Sequence, residues 1–397
     1  MRTRTILLPV VLFMAMSLAL SAAVSTGPWD VAALQKTPTS EWGLRTGLVQ
    51  EVVYQGEPFA GKPTRIFAYV GRPAEGAGPF PAMVLVHGGG GAAFRDWAEH
   101  WAKRGYVAIA MDTSGRGANK VRLPDGGPEQ DDATKFLPFA ADGAREMWTY
   151  HAVAAVLRGH SLLASLPEVD RARIGVTGIS WGGYLTCIVA GIDDRVKVAV
   201  PVYGCGFLGD NSYWKAPRFD RMPAEQRDRW LKNFDPSSYL AGVRAPILFL
   251  NGTGDFAYPL DSYGKSARLV RADLRTVAIH VNLKHGHFWN FGEVDAFVDS
   301  VLRGGPVLPK FAEIKMAPGA ATVGFHAATE IAKAELHYTT NSGPWQPRVW
   351  QTVPAVVHEG LVSAPLPETR PLAFYFSVVD ARGLRTSSLP QELFAEK

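Results

Sequence analysis

A serine flanked by glycines, Gly178-Ile179-Ser180-Trp181-Gly182, stands where an apolar run ending at Thr177 gives way to a helical stretch. A hydroxyl is a weak nucleophile at its own pKa and must be presented on a sharp strand-to-helix turn. Small residues two places before and two after it let the backbone make that turn. Such a serine also needs a base to take its proton and an acid to orient the base, and on this kind of sheet the chain order is Ser, Asp, His. Asp255 closes Asn251-Gly252-Thr253-Gly254-Asp255, directly after the apolar run Ile247 to Leu250, so it falls at the C-terminal end of a strand, on the same rim as Ser180. Asp261 is the second candidate acid, although it lies inside the following helix.

The base lies in Leu283-Lys284-His285-Gly286-His287-Phe288-Trp289. His285, a short loop beyond the strand end at Val281, is the first choice. His287 stays open as the alternative, because Gly286 lets either imidazole turn inward. A fourth motif, Val86-His87-Gly88-Gly89-Gly90-Gly91, follows another apolar run. Acyl transfer builds negative charge on the carbonyl oxygen, and waiting backbone N–H groups stabilise it; Gly89 and Trp181 are the expected donors. The glycine spacing is neither GxGxxG nor GxxxxGK[ST], so a nucleotide-phosphate cradle is discounted. The chemistry these residues point to is acyl transfer through a covalent acyl-serine, with no metal or organic cofactor.

These groups need a frame. From about Val52 to Gly304, apolar strand-like runs alternate with helical stretches, as in a parallel sheet covered on both faces. The expected strands are Arg65 to Val70, Ala82 to Val86, Tyr106 to Met111, Ile174 to Thr177, Val196 to Val202, Ile247 to Asn251 and Thr276 to Val281. Most are continuously apolar, which suits strands buried on both faces. The expected helices are Phe94 to Lys103, Gly143 to Leu157, Trp181 to Ala190, Leu260 to Leu269 and Glu293 to Leu302. Residues 206–242, rich in aromatic, charged and Pro residues, form a connection too long for a turn and are expected to cap or wall a cleft. Trp214 in that insertion and Trp289 beside the histidines are candidate faces for a bound sugar ring. After Gly305 the pattern changes to period-2 runs such as Ala334 to Thr339 and Ala373 to Val379, which predicts a separate all-β unit over 306–397, of the size of an immunoglobulin-like sandwich.

Arg2 and Arg4, the apolar run Ile6 to Leu20 and the small residues Ser21 to Ala23 follow the order of a secretory signal peptide. Residues 1–23 are therefore expected to be removed, leaving 24–305 as the catalytic unit of a secreted or periplasmic protein, with no stable membrane insertion. The formal charge of +4 includes those two arginines, so it gives no reason to expect nucleic acid as a partner. Cys187 and Cys205 are the only cysteines; they allow at most one disulfide and exclude a disulfide-stapled scaffold.

With these pieces in order, residues 48–304 resemble the α/β-hydrolase superfamily, in particular its branch of acetyl xylan esterases, cephalosporin C deacetylases and prolyl-oligopeptidase-like enzymes. The resemblance is carried by Leu166-Pro167-Glu168-Val169-Asp170-Arg171-Ala172-Arg173-Ile174-Gly175-Val176-Thr177 running into the serine motif, and by Asp112-Thr113-Ser114-Gly115-Arg116-Gly117. It implies a mostly parallel sheet flanked by helices, Ser180 as nucleophile, Asp255 as acid and His285 as base. It also implies a small-molecule or polysaccharide ester as substrate. The sequence departs from the branch in its His-Gly-His motif and in the C-terminal unit. A peptidase of the prolyl-oligopeptidase kind is the alternative activity, but the short segment before the first strands leaves no room for the propeller of those enzymes. A non-catalytic scaffold is the third reading.

Overall fold

The computed structural model describes residues 25–394. The expected export segment lies outside them. Nine strands form the main sheet: β1 (Ser40–Thr46), β2 (Val49–Gln55), β3 (Arg65–Gly71), β4 (Phe80–Val86), β5 (Val107–Met111), β6 (Val169–Ile179), β7 (Val198–Val202), β8 (Ile247–Gly252) and β9 (Arg275–His280). Their spatial order is β1-β2-β3-β5-β4-β6-β7-β8-β9. The first three strands and β5 pair antiparallel, and every pair from β5 through β4 to β9 is parallel. All seven expected strands are present, and their central members β5, β7 and β8 are buried along their whole length.

Helices α1 (Arg95–Lys103), α2 (Trp148–Ser165), α3 (Trp181–Ile192), α4 (Ala224–Phe234), α5 (Leu260–Leu269) and α6 (Gly292–Leu302) accompany this sheet. Helix α3 is buried on every side, in keeping with its apolar sequence, whereas α1 buries only the stripe Trp97, Ala98, Trp101 and Ala102. Helix α4, in the 206–242 insertion, was not expected; its charged sequence hides the anchors Trp230 and Phe234. Among the described residues no helix is long and apolar enough to cross a membrane. Cys187 and Cys205 are both buried and free.

The strand order positions the site. From β4 the chain turns to β5 on one side, and from β6 it turns to β7 on the other, so the carboxyl ends of β4 and β6 flank a crevice. Val86, the last residue of β4, pairs with Gly178 of β6, so the glycine loop and the serine turn leave the sheet side by side.

Beyond α6 the chain builds two antiparallel sheets. One has the order β10 (Lys310–Ala317), β11 (Ala320–His326), β15 (Leu361–Pro365), β14 (Val356–His358). The other joins β13 (Gln351–Pro354), β12 (Ile331–Thr339), β16 (Leu372–Asp380) and β17 (Arg385–Ser387), with β18 (Gln391–Leu393) also on β16. They face each other over Val323, Leu336, Val362, Phe374 and Phe376, which makes the expected sandwich. The sandwich does not hang from a linker. Ile279 of the edge strand β9 donates its N–H to Ser387 Oγ at 3.0 Å, and Arg385 donates its N–H to Glu293 Oε1 of α6 at 3.0 Å. Trp345, Trp350, Tyr375 and Leu389 join the core of the large sheet. An edge strand exposes unpaired backbone groups, and the sandwich covers that of β9.

Candidate active site

Ser180 occupies the turn between β6 and α3 with φ 60° and ψ −119°, a left-handed conformation that costs a non-glycine residue about 1–3 kcal/mol. Surrounding contacts fix it. A Cβ on Gly182 would lie 2.7 Å from the Val86 carbonyl carbon and 2.8 Å from the His87 oxygen, so the helix can start here only because residue 182 is glycine. The serine is 7% exposed and lines an open cleft of about 550 Å³, which Gly89, Trp181, Trp214, Phe256, His285 and His287 also line.

Asp255 is buried. Its Oδ1 accepts N–H groups from Ala257 and Tyr258, both at 2.8 Å, and its Oδ2 lies 2.6 Å from His285 Nδ1. With Nδ1 committed to the carboxylate, Nε2 is the ring nitrogen left to face a hydroxyl. Tyr203 stacks on this imidazole with ring centroids 4.4 Å apart, and its own hydroxyl donates to the Lys284 carbonyl at 2.8 Å, so one residue holds both the ring and its loop. Asn282 N–H to Thr253 Oγ1, at 3.0 Å, ties the acid and histidine loops together. Asp261, the second candidate acid, instead accepts the Asn211 amide at 2.9 Å.

The two histidines separate clearly. His287 Nε2 accepts the Gly88 N–H at 3.0 Å, and its ring packs on Phe94 and Trp97. Burial, reinforced by His87, His285 and Lys120, lowers its pKa to about 4, so it is a neutral acceptor. His87 is buried; its Nε2 accepts the Thr113 N–H at 2.9 Å and its Nδ1 donates to the Gly88 oxygen at 2.8 Å. Trp181 begins α3, where an N–H has no partner within the helix, and Gly89 lies against its indole: a Cβ there would be 3.1 Å from Trp181 Cδ1.

The two tryptophans expected to meet substrate part ways. Trp214 lines the cleft, but its indole N–H donates to Asp132 at 3.2 Å and its ring packs 4.4 Å from that of Trp181, so only a strip is presented. Trp289 departs from the expectation. It packs on Trp97 at 5.2 Å and on Trp101 at 6.0 Å, and lies outside the cleft lining, because the chain after His287 turns back onto α1. The exposed rings at the mouth are Tyr213 and Phe256, 5.7 Å apart.

Lys135 is the residue that sequence reasoning passed over. Its ammonium lies 3.0 Å from Asp132 and 4.4 Å from the Trp181 ring centroid, and it borders the cleft although its side chain is only 4% exposed. Burial pulls its pKa below the usual lysine range, against the pull of Asp132.

A family model for acetyl xylan esterase (AXE1) matches residues 37–239. The chain belongs to the acetyl xylan esterase (AXE1) family. It is a carboxylic ester hydrolase of the α/β-hydrolase superfamily. A Methylorubrum extorquens protein described as a carboxymethylenebutenolidase is 30% identical over 275 residues, 69% of this chain and 81% of that protein. The acetyl esterase Axe7A of Xylanibacter ruminicola is 24% identical over 206 residues, 49% of this chain and 46% of that one. Among solved structures, an acetyl xylan esterase from Paenibacillus sp. R4 superposes with TM-score 0.56 at 22% identity, over 68% of this chain and 92% of that chain. Acetyl xylan esterase 1 from Thermoanaerobacterium sp. JW/SL YS485 superposes with TM-score 0.52 at 20% identity, over 68% and 90%. At these identities the likeness concerns the fold.

Proposed function

We propose that this esterase is exported and removes acetyl or similarly small acyl groups from carbohydrate esters through a Ser180, His285, Asp255 triad. The observation that carries this reading is the 2.6 Å contact of His285 Nδ1 with a buried Asp255, in the cleft that Ser180 also lines. His285 Nε2 takes the Ser180 proton as Oγ attacks the ester carbonyl, and the Gly89 and Trp181 N–H groups stabilise the oxyanion. His285 then returns the proton to the leaving alcohol. Water, deprotonated by the same imidazole, cleaves the acyl-serine and frees acid and enzyme.

A carbohydrate alcohol is supported by the chemistry of the cleft, where a carboxylate and an ammonium, Asp132 and Lys135, lie beside the open rings Tyr213 and Phe256. Hydroxyl-rich rings offer both donors and acceptors to such a pair and an apolar face to the aromatics. Ser180→Ala tests the reading: p-nitrophenyl acetate turnover is expected to fall by about 10⁶ and fluorophosphonate labelling to disappear. Retained turnover would overturn it. A panel of acetylated xylan, cephalosporin C, feruloyl esters, long-chain esters and dipeptide amides then ranks the substrates, and strong amide cleavage would favour a peptidase.

A further inference from the structure

The Gly88 to Gly91 loop has no side chains of its own to hold it, and four successive glycines carry the largest backbone entropy a loop can lose. It nevertheless lies directly on the nucleophile. A Cβ at Gly88 would stand 2.6 Å from the Ile179 oxygen, 2.7 Å from Ser180 Cβ and 2.8 Å from His287 Nε2. Its internal restraint is one turn, Gly91 N–H to the Gly88 oxygen at 3.1 Å, and Lys120 reaches the Gly90 oxygen at 3.2 Å from an exposed position. The buried side of the loop is tied at Gly88 by two imidazoles: His87 Nδ1 donates to the Gly88 oxygen at 2.8 Å from the adjacent residue, and His287 Nε2 accepts the Gly88 N–H across 199 residues of sequence.

We propose that His287 is a positioning residue, whose neutral imidazole holds the glycine loop so that the Gly89 N–H points at the oxygen of the ester bound at Ser180. This rests on the serine-esterase reading above. Because Nε2 accepts, the ring proton sits on Nδ1, and the ring plane is set by Phe94 and Trp97 at centroid distances of 5.4 and 6.3 Å. Only Gly286 separates His287 from His285. One loop therefore carries the proton acceptor and, two residues on, the anchor of the oxyanion donors, so the two catalytic elements stay in register with one another. The His-Gly-His pattern has a distinct task for each imidazole.

The test compares His287→Leu, which keeps apolar bulk and loses the acceptor, with His287→Gln, whose side-chain oxygen replaces Nε2 as acceptor. Thermal unfolding is measured on both variants. For p-nitrophenyl acetate, His287→Leu is expected to lower kcat about 10²-fold with KM within about threefold of wild type, the size of a lost oxyanion donor. His287→Gln is expected to recover kcat to within about fivefold. A kcat near wild type in the Leu variant, or a Gln variant as slow as the Leu variant, would overturn the tether. Ser180→Ala and His285→Ala are run beside them: activity surviving in those would sink the serine-esterase reading instead, whereas their loss with an intact His287→Leu rate would sink the tether alone.

Discussion

Replacing Asp255 by asparagine removes one charge and almost no volume, and the structure dictates what the new amide does. Oδ1 of Asp255 accepts two backbone N–H groups, from Ala257 and Tyr258, each at 2.8 Å. The introduced amide must place its oxygen there, because turning its NH₂ toward them would set donors against donors in a buried site and leave both backbone groups unpaired. The NH₂ therefore takes the position of Oδ2, which lies 2.6 Å from His285 Nδ1, and donates to that nitrogen. His285 is then forced into the tautomer with its proton on Nε2, where, on the proposed mechanism, it can no longer take the serine proton. The wrong tautomer costs about 10⁴ in kcat in triads of this kind, which corresponds to about 5 kcal/mol of barrier. Asp255→Ala makes the contrast: it leaves His285 free to choose its tautomer and loses orientation only, so it is expected to be more active than Asp255→Asn although it deletes more. Stopped-flow release of p-nitrophenol from p-nitrophenyl acetate measures acylation directly, with circular dichroism to show that both variants are folded. An Asp255→Asn acylation rate within tenfold of wild type, or one above that of Asp255→Ala, would refute the argument and reopen the role of Asp261.

Three further outcomes follow from the same structure. Lys135→Met removes the ammonium that borders the cleft between Asp132 and the Trp181 ring; KM for acetylated xylo-oligosaccharides is expected to rise about tenfold, the weight of one charge-assisted hydrogen bond, and KM for p-nitrophenyl acetate, which lacks the sugar hydroxyls, to change less. Equal effects on both substrates would remove Lys135 from substrate recognition. Because Trp345 and Trp350 lie in the core of the large sheet, the whole chain is expected to unfold in one calorimetric transition, and Trp350→Ala to lower its stability by about 3–5 kcal/mol; two resolved transitions would refute the shared core. His160 is 2% exposed, and burial lowers its pKa from 6.5 to about 4. The unfolded chain thus binds a proton between those values that the fold does not. This contribution, about 3 kcal/mol, is present above pH 6.5 and lost as pH falls toward 4; His160→Leu should flatten the urea midpoint over that window, and an unchanged slope would refute it.

What could be read in the sequence was what a single segment decides. The strands β4 to β9 are largely apolar because both their faces are buried, and the turn at Ser180 needs its glycines within two residues, so each announces itself locally. The first strand does not: Ser40–Thr46 is an edge strand exposed along most of its length, and its polar sequence has no core face to declare. Helix α4 hides for the same reason, with two buried anchors in an otherwise charged stretch. Lys135 and Tyr203 fail differently. A lysine in a run of polar residues reads as surface, and only the rings of Trp148 and Trp181, brought from α2 and α3, bury it. Tyr203 becomes a partner of His285 because the loop after β9 reaches back past β8 to the end of β7, a fact of topology and not of any local pattern. The choice between His285 and His287 was open for that reason too: two imidazoles on one loop, one glycine apart, are told apart by Asp255 on the loop after β8 and Gly88 on the loop after β4. Their difference lies in the strands that meet them, so a variant that keeps the His-Gly-His motif but shifts either neighbouring loop is expected to lose the function while keeping the residues.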